Sequence, residues 1–408
     1  MGAVLGAGVR GSNETKRDGG ALTVRVLTDI AGMEAVADEW RALERRCDGG
    51  LSFFQSYMWC RAWAECFAGG SGGTRPFVAT VRAGDRLVAV WPLMVGGLRG
   101  ALRRIETLGG THSQYSTLIL DPEFSDRTEA IADGLLSSLT ASGGFDVALF
   151  EAVPDGSALA AMLSRTAPGA TVRNAASLLD LTGFSSSDAY LAGLGKLQRR
   201  NRNRRRNHLA RHGALRFSVL WPDDPAFAPT IQHGLQLKRR WLTETGRFGL
   251  GLSQPGFGDF LAGLDGDRES LSGACLSVLK TGDRIAAVEL GFLHGGHYYC
   301  YMGAFDWDLR EASPGKVQME MTVCWLIDNG IATYDLLANP AGYKESWSNR
   351  TIGLSTYTIA PSWRGRFYAR GWVATARPAL KRGLEALAYR VRRLAALTQG
   401  LGCIVLLA

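Results

Sequence analysis

The sequence lacks the features that mark membrane-spanning, secreted and metal-binding proteins. Its 408 residues contain no run of about 18 apolar residues, so we expect no segment to cross a membrane. The first 20 residues have no apolar core of a signal peptide and are expected to form a disordered lead. The seven cysteines show no CxxC or CxxH spacing, and the sequence has only six histidines. We therefore expect no disulfide framework, no metal and a reducing, cytoplasmic location.

Charge is concentrated in two segments. Residues 196–211 hold eight Lys or Arg and no acid, and residues 364–393 hold nine basic residues against Glu385 alone. The net charge of the whole chain is +8, so the remainder carries about −8. An acidic body with two basic segments indicates local contacts with anions, not a surface that binds a polyanion everywhere.

The order of strand and helix patterns predicts an α/β protein of two similar halves. A chain of 408 residues is long for one core, so two domains are expected. A strand, a turn containing Gly-Asp-Arg and a second strand are predicted at residues 77–95 and again at 276–291. This echo suggests a duplicated α/β unit.

The stretch LREASPGKVQMEM, residues 309–321, has two interpretations. Ser313 suits a helix N-cap, Pro314 suits the first helical position, and Asn329-Gly330 suits the helix end, so the segment can be a capped helix and nothing more. However, Arg310-x-x-Ser313-x-Gly315 also places a cation and a glycine just before a helix N-terminus. Unpaired N–H groups and the helix dipole bind phosphate there.

In the same stretch, Arg-x-x-Ser-x-Gly resembles the pyrophosphate motif of GNAT acetyltransferases, with Ser313 in the place of the first glycine. Tyr-x-x-Ala-Phe-Asp at 301–306 and Tyr-Asp-Leu…Gly-Tyr-Lys-x-x-Trp at 334–347 resemble the CelD/BcsL branch of that superfamily, which is similar to the Fem-type transferases. The resemblance covers roughly residues 22–362. Relatives often have a glycine and an acid where this chain has Asn339-Pro340-Ala341-Gly342, so the role of that loop is open.

The resemblance implies two tandem GNAT-like lobes, each a mixed sheet flanked by helices, at residues 21–185 and 186–362. A basic amphipathic C-terminal helix is expected within residues 363–408.

The resemblance also implies transfer of an acetyl or longer acyl group from acyl-CoA to an amine or hydroxyl. Arg310, Ser313, Gly315 and Lys316 would then lie at the CoA phosphates.

Acyl transfer needs a base for the nucleophile, donors for the oxyanion and a proton for the leaving thiolate. Glu289, an acid within an apolar strand, is the candidate base, unless it is an edge-strand charge facing water. Tyr301, or Tyr299 on the same strand face, is the candidate proton donor, with aromatic packing as the alternative. The other candidates, each with a purely structural alternative, are Asp335 to orient an amine, Lys344 and Tyr343 to bind substrate, and His112 as a second base.

Several functions remain open at this point. The basic run 196–211 suits CoA phosphates, an anionic acceptor or RNA, although no RNA-binding module accompanies it. The C-terminal segment suits either packing on the body or docking at an anionic membrane face. The acceptor is expected to be an envelope polysaccharide precursor or a lipid. The alternatives are aminoacyl transfer from tRNA, as in Fem-type proteins, and a non-catalytic scaffold of polysaccharide synthesis.

Overall fold

The computed structural model describes residues 21–47, 50–69, 73–97, 102–141, 144–166, 172–247, 251–338 and 342–376, together with 379, 380 and 383. The expected disordered lead and most of the expected C-terminal amphipathic helix lie outside these residues. The strands are Leu22–Leu27 (β1), Arg75–Ala83 (β2), Arg86–Gly96 (β3), Arg104–Thr107 (β4), Ile119–Leu120 (β5), Val147–Pro154 (β6), Val172–Asp180 (β7), Leu215–Leu220 (β8), Gly266–Asp267 (β9), Ser272–Thr281 (β10), Arg284–His294 (β11), His297–Phe305 (β12), Thr333–Ala338 (β13) and Arg350–Ile359 (β14).

Helices cover both faces of the sheet that these strands form. The α-helices are Ile30–Glu34 (α1), Ala37–Arg46 (α2), Tyr57–Phe67 (α3), Thr128–Ala141 (α4), Ala158–Ser164 (α5), Ser187–Gly193 (α6), Lys196–Ala210 (α7), Phe227–Thr245 (α8), Phe257–Ala262 (α9), Pro314–Asp328 (α10), Gly342–Glu345 (α11) and Trp363–Phe367 (α12). Short 3₁₀ segments are Gly50–Gln55, Gly110–His112, Pro122–Arg127, Gly251–Ser253 and Trp307–Ala312, and a π-helix covers Tyr368–Ala376.

The sheet repeats one strand order twice, which confirms the mixed α/β fold of two lobes. Its order is β1-β2-β3-β4-β6-β14-β7-β13-β12-β11-β10-β8, with β5 beside β3 and β9 beside β10. Read from either end, each half presents a meander followed by a parallel pair, β4 with β6 and β12 with β13. The last strand of each half crosses over: β14 pairs with β6 of the first half, and β7 pairs with β13 of the second.

The Gly-Asp-Arg turns are equivalent in the two halves. Gly84 connects β2 to β3 and Gly282 connects β10 to β11, and both adopt φ 59°, a left-handed conformation that favours glycine. The strands on each side of these turns are buried on both faces, as their continuous apolar runs require.

Aromatic side chains join the two halves. Phe53, just before α3, stacks on Phe292 of β11 with ring centroids 4.6 Å apart, and Trp59 of α3 meets the same ring at 5.5 Å. All three side chains are almost fully buried. These aromatic side chains are therefore part of the core that fixes the first half against the second.

Candidate active site

The parallel strands β12 and β13 separate after a short contact. Their pairing covers His297, Tyr298 and Tyr299 opposite Thr333, Tyr334 and Asp335. Beyond these pairs β12 continues along β11, while β13 shifts register and pairs with β7 at Ala338. The two strands thus diverge and form a cleft between them. The backbone N–H and C=O groups of β12 on one side and of β13 on the other do not bond to each other there.

A β-bulge lies on β12 where the cleft begins. On β11, Leu290 pairs with Met302 and Gly291 pairs with Cys300, so Tyr301 is an extra residue in β12. Bulges occur often beside active sites because they redirect the strand and free its backbone groups. The hydroxyl of Tyr301 donates to the carbonyl oxygen of His112 at 3.1 Å, which ties the bulge to the first half.

The turn before α10 has the geometry of an anion cradle. Ser313 has φ 54° and ψ 53°, which is the conformation that a glycine in its motif position adopts most easily. It occupies the N-cap position, as predicted, but its side chain makes no capping hydrogen bond. The N–H groups of Lys316 and Val317 bond to the Ser313 carbonyl, and Pro314 has none. Among the described residues, no group accepts the N–H of Gly315.

Two cations, Lys316 and Arg310, lie on either side of this turn in the sequence, and Arg310 pairs with the exposed acid Glu311 at 3.7 Å. No acid lies in the first turn of α10, where Lys316 is exposed. The guanidinium of Arg310 lies over the Trp307 ring at 5.4 Å and donates to the Trp307 carbonyl at 3.2 Å. Helix α7 packs beside the turn, with Leu209 in one apolar cluster with Ala312 and Val317.

Glu289 is sealed within the sheet beneath α10. It is 2 % exposed on β11, which lies between two strands, so the alternative of an edge-strand charge facing water is wrong. The hydroxyls of Tyr298 and Tyr334 donate to its two carboxylate oxygens at 3.1 Å and 3.0 Å. Burial raises the pKa of Glu289 to about 7, although these hydrogen bonds oppose the rise. The thiol of Cys300, the first residue of β12 beyond its pairing with β13, hydrogen bonds to Glu289 and thus links it to the cleft.

Two lysine ammonium groups lie on opposite walls of the cleft. Lys344 of α11 donates to the carbonyls of Leu337 and Ala338 on β13, at 3.3 Å and 2.8 Å. Lys238 of α8 donates to the Gly303 carbonyl on β12 at 2.9 Å. Burial lowers the pKa of both amines, and the charge of Lys344 lowers that of Lys238 further. The Lys238 ammonium also lies over the Trp241 ring at 4.6 Å. Neighbouring ammonium groups whose hydrogen-bond acceptors are neutral carbonyls favour an anion between them.

Asp335 lies on the opposite face of the sheet from Glu289. Its carboxylate is fully buried and accepts hydrogen bonds from the Tyr115 hydroxyl at 2.8 Å and from the Leu337 N–H at 2.7 Å, with His297 Nε2 at 3.0 Å. Leu337 has φ 63°, so this carboxylate holds a strained kink in β13. The geometry favours a positioning role that joins the halves through Tyr115.

His112 and Tyr299 also lie away from Glu289. Both ring nitrogens of His112 are engaged, Nδ1 by Trp63 at 3.0 Å and Nε2 by the Gly251 carbonyl at 3.3 Å, and burial lowers the pKa of the ring. Tyr299 is fully buried among aromatic rings near Phe53. These contacts favour structural roles for both residues. Tyr343, by contrast, is 48 % exposed beside Lys344.

The sequence reasoning missed Tyr298, Tyr334 and Lys238. Side chains alternate across a strand, so Tyr298 shares the face of Glu289 while Tyr299 and the bulged Tyr301 pack toward the other core. Because successive side chains in a strand point to opposite faces of the sheet, the dipeptide Tyr298-Tyr299 could have indicated that one tyrosine lies on the face of Glu289. Nothing local in the sequence connects Lys238 to β12.

Comparison with known proteins agrees with this geometry. Residues 196–345 match the family model described as an acetyltransferase (GNAT) domain. This part of the chain is therefore similar to GNAT domains. Glu289, both cleft lysines and the Ser313–Gly315 turn all lie within the matched residues.

Two solved structures share the fold of the whole described body. The structure of FemX is 10 % identical with a TM-score of 0.56, covering 80 % of this chain and 98 % of that one. The C-terminal domain of a putative lysylphosphatidylglycerol synthetase from Agrobacterium fabrum is 15 % identical with a TM-score of 0.51, covering 83 % and 95 %. No curated protein matches the sequence.

The described residues form neither a cluster of metal ligands nor a membrane-spanning helix. These contain no group of three or more His, Cys, Asp or Glu placed to hold a metal ion. Of the helices they form, none has both the length and the apolar character needed to cross a membrane.

Proposed function

We propose that the protein is a CoA-dependent acyltransferase that moves an acyl group from an acyl-CoA thioester to an amine or hydroxyl. The observation that carries the proposal is the cleft between β12 and β13 in the same domain as the Ser313–Gly315 turn. An extended acyl-CoA arm can bond to the unpaired strand edges, while the turn receives its phosphates.

Backbone groups at the start of α10 form the part of the site that we propose binds the CoA phosphates. The free N–H of Gly315 and the positive end of the α10 dipole attract an anion, and no acid of the first helical turn opposes it. Lys316 and Arg310 add charge nearby. The left-handed Ser313 turns the chain so that the helix N-terminus stays open.

At the thioester end, Glu289 serves as the base. The nitrogen or oxygen of the acceptor attacks the thioester carbonyl carbon and forms the new C–N or C–O bond, while its proton passes toward Glu289. The C–S bond then breaks, and the CoA thiolate takes up that proton. Tyr334 and Cys300, both hydrogen-bonded to Glu289, are placed to relay that proton. We assign the donor role to Tyr334 in place of Tyr301, whose hydroxyl is bonded to the His112 carbonyl.

The two cleft lysines indicate the acceptor's chemistry. Lys238 and Lys344 suit an acceptor that carries a phosphate or carboxylate close to its reacting amine or hydroxyl. A saccharide precursor or lipid of the cell envelope fits this description, and the relative from Agrobacterium fabrum is named for a phospholipid product.

A matched pair of variants tests the phosphate cradle. G315P removes the N–H at a first-turn position that accepts proline, whereas G315A keeps it and places a Cβ 3.5 Å from the Phe305 ring, an ordinary contact. Because a hydrogen bond to a charged group contributes about 1.5–3 kcal/mol, we expect G315P to bind CoA roughly 10- to 100-fold more weakly. Calorimetric titration with CoA measures this, and equal affinities of G315P and G315A would refute the cradle.

A second candidate function is aminoacyl transfer from tRNA, which the exposed cations of α7 favour. Arg202 and Arg206 bond to Glu320 of α10, while Lys196, Arg199 and Arg204 face solvent. Titrations with acetyl-CoA and with aminoacylated tRNA distinguish the two donors. A protein that binds neither donor, or that binds one without turnover on any amine or hydroxyl, would be a non-catalytic scaffold.

A further inference from the structure

The segment that follows β14 is fastened to the first half of the protein along one side. Ser362 caps α12 and its hydroxyl donates to Asp146 at 2.6 Å. A Cβ at Gly365 would lie 1.6 Å from the Asp146 carbonyl oxygen, so only glycine permits this approach. Farther along, Arg104 donates to the Tyr368 hydroxyl at 3.0 Å, and Val373 is 4 % exposed. The helices therefore present a fixed outer face.

That outer face displays aromatic side chains. Trp363, Phe367 and Trp372 are 69 %, 76 % and 43 % exposed. Only seven large apolar side chains are exposed among the described residues, and these three fall within one stretch of ten. Single exposed apolar residues are ordinary, but a cluster of aromatic rings marks a contact surface.

Cations without acids accompany the rings. Arg364, Arg366 and Arg370 are exposed, and residues 361–376 contain no Asp or Glu. Arg364 lies over the Trp363 ring at 5.6 Å, and an open cleft is lined by Arg366, Phe367, Arg370 and Gly371. The face therefore combines apolar rings with an excess of positive charge, although Arg364 lies near the Asp146 carboxylate and contributes to the lowered pKa of that acid.

We propose that this face, formed by Trp363, Arg364, Arg366, Phe367, Arg370 and Trp372, docks on the anionic headgroup layer of a lipid bilayer. Aromatic rings are favoured at the level of the headgroups, and guanidinium groups bind lipid phosphates. The charge of the face matches such a layer, and the sequence beyond it, residues 377–393, continues with basic and apolar residues. The surface lies outside the acyl-transfer site, so this inference stands independently of the proposed function.

Vesicle binding by the full-length protein tests the inference. Phosphatidylcholine vesicles with and without phosphatidylglycerol serve as probes, and bound protein is separated by flotation. Each arginine near an anionic surface contributes about fivefold to binding, so R364Q/R366Q/R370Q should lower the partition coefficient roughly 100-fold. W363S/F367S should lower it roughly tenfold or more, because both rings lose their apolar contact.

The matched control is L197S, which removes a side chain that is 69 % exposed on the other basic helix, α7. Wild type and L197S should bind the anionic vesicles equally and the neutral vesicles weakly. The inference would be overturned if wild type does not bind anionic vesicles. It would also be overturned if R364Q/R366Q/R370Q and W363S/F367S bind these vesicles as wild type does. A wild-type dimer that becomes a monomer in W363S/F367S would overturn it as well, since a second copy would then cover the face.

Discussion

Replacing Glu289 by glutamine should stabilise the protein above neutral pH while lowering its activity. The Glu289 carboxyl has its pKa raised from 4.5 to about 7 by burial. A proton is therefore bound more tightly in the folded state, and stability falls as pH rises from about 4.5 to 7. Ionising this carboxyl in the folded state therefore costs roughly 3 kcal/mol of stability. Glutamine has nearly the same shape, can still accept a hydrogen bond from Tyr298 or Tyr334, and carries no charge to bury.

The same variant removes the proposed base. General base catalysis typically accelerates a reaction 10²- to 10⁴-fold. With an identified acceptor substrate, we therefore expect the kcat of E289Q to be lower than that of wild type by about this factor. CoA affinity should stay unchanged, because the phosphate cradle lies on the turn before α10. E289Q should therefore raise the free energy of unfolding and lower the rate. This combination is expected when a buried acid destabilises the fold but is needed for catalysis.

Chemical denaturation at several pH values between about 4.5 and 8 measures the stability difference between wild type and E289Q. E44Q is the matched control, since burial also raises the pKa of Glu44 to about 7 but this residue lies on α2 in the first half. E44Q should flatten the pH dependence similarly without a change in rate. An E289Q protein less stable than wild type at about pH 8 would refute the electrostatic reasoning, and an unchanged rate would remove Glu289 as base.

Three further variants test separate parts of the structure. Y115F should lower the free energy of unfolding by about 1–3 kcal/mol, because the buried Asp335 loses a donor; urea denaturation measures this, and an unchanged midpoint would contradict it. G365A should destabilise by about 1–3 kcal/mol or detach α12, because its Cβ would overlap the Asp146 carbonyl; protection from limited proteolysis after β14 reports the change. K316E should weaken CoA binding several-fold by placing an acid at the α10 N-terminus, while K316Q should lose less; calorimetry distinguishes them.

Local features of the fold could be predicted because local chemistry determines them. The limits of α10, from Pro314 to a left-handed Gly330 just beyond its end, follow from one proline and one glycine. The duplicated hairpins follow from continuous apolar runs on each side of a Gly-Asp turn. The exchange of β7 and β14 between the halves could not be predicted, because pairing between strands about 180 residues apart depends on the whole sheet.

The candidate site was predicted only in part for a similar reason. Glu289 was recognised from its apolar surroundings, but its partners depend on strand register and on the bulge at Tyr301. A shift of one residue moves a side chain to the other face of the sheet, so Tyr298 and Tyr299 cannot be assigned from spacing alone. Lys238 reaches the cleft only through the packing of α8 on β12, which is a tertiary contact.

A comparison of the two halves supports the proposal that acyl-CoA binds in the second half. In both halves a helix joins two parallel strands that share three residue pairs, α4 between β4 and β6 and α10 between β12 and β13. The first turn of α4 carries Glu129, and the 3₁₀ segment before it carries Glu123. The first turn of α10 carries Lys316 and no acid. An acidic helix N-terminus repels phosphate as strongly as a basic one attracts it. The first half thus keeps the strand–helix–strand arrangement but has neither a left-handed residue nor a basic first turn at the start of α4. Its contribution to the candidate site is to hold β12 and β13 through Tyr115 and the carbonyl of His112.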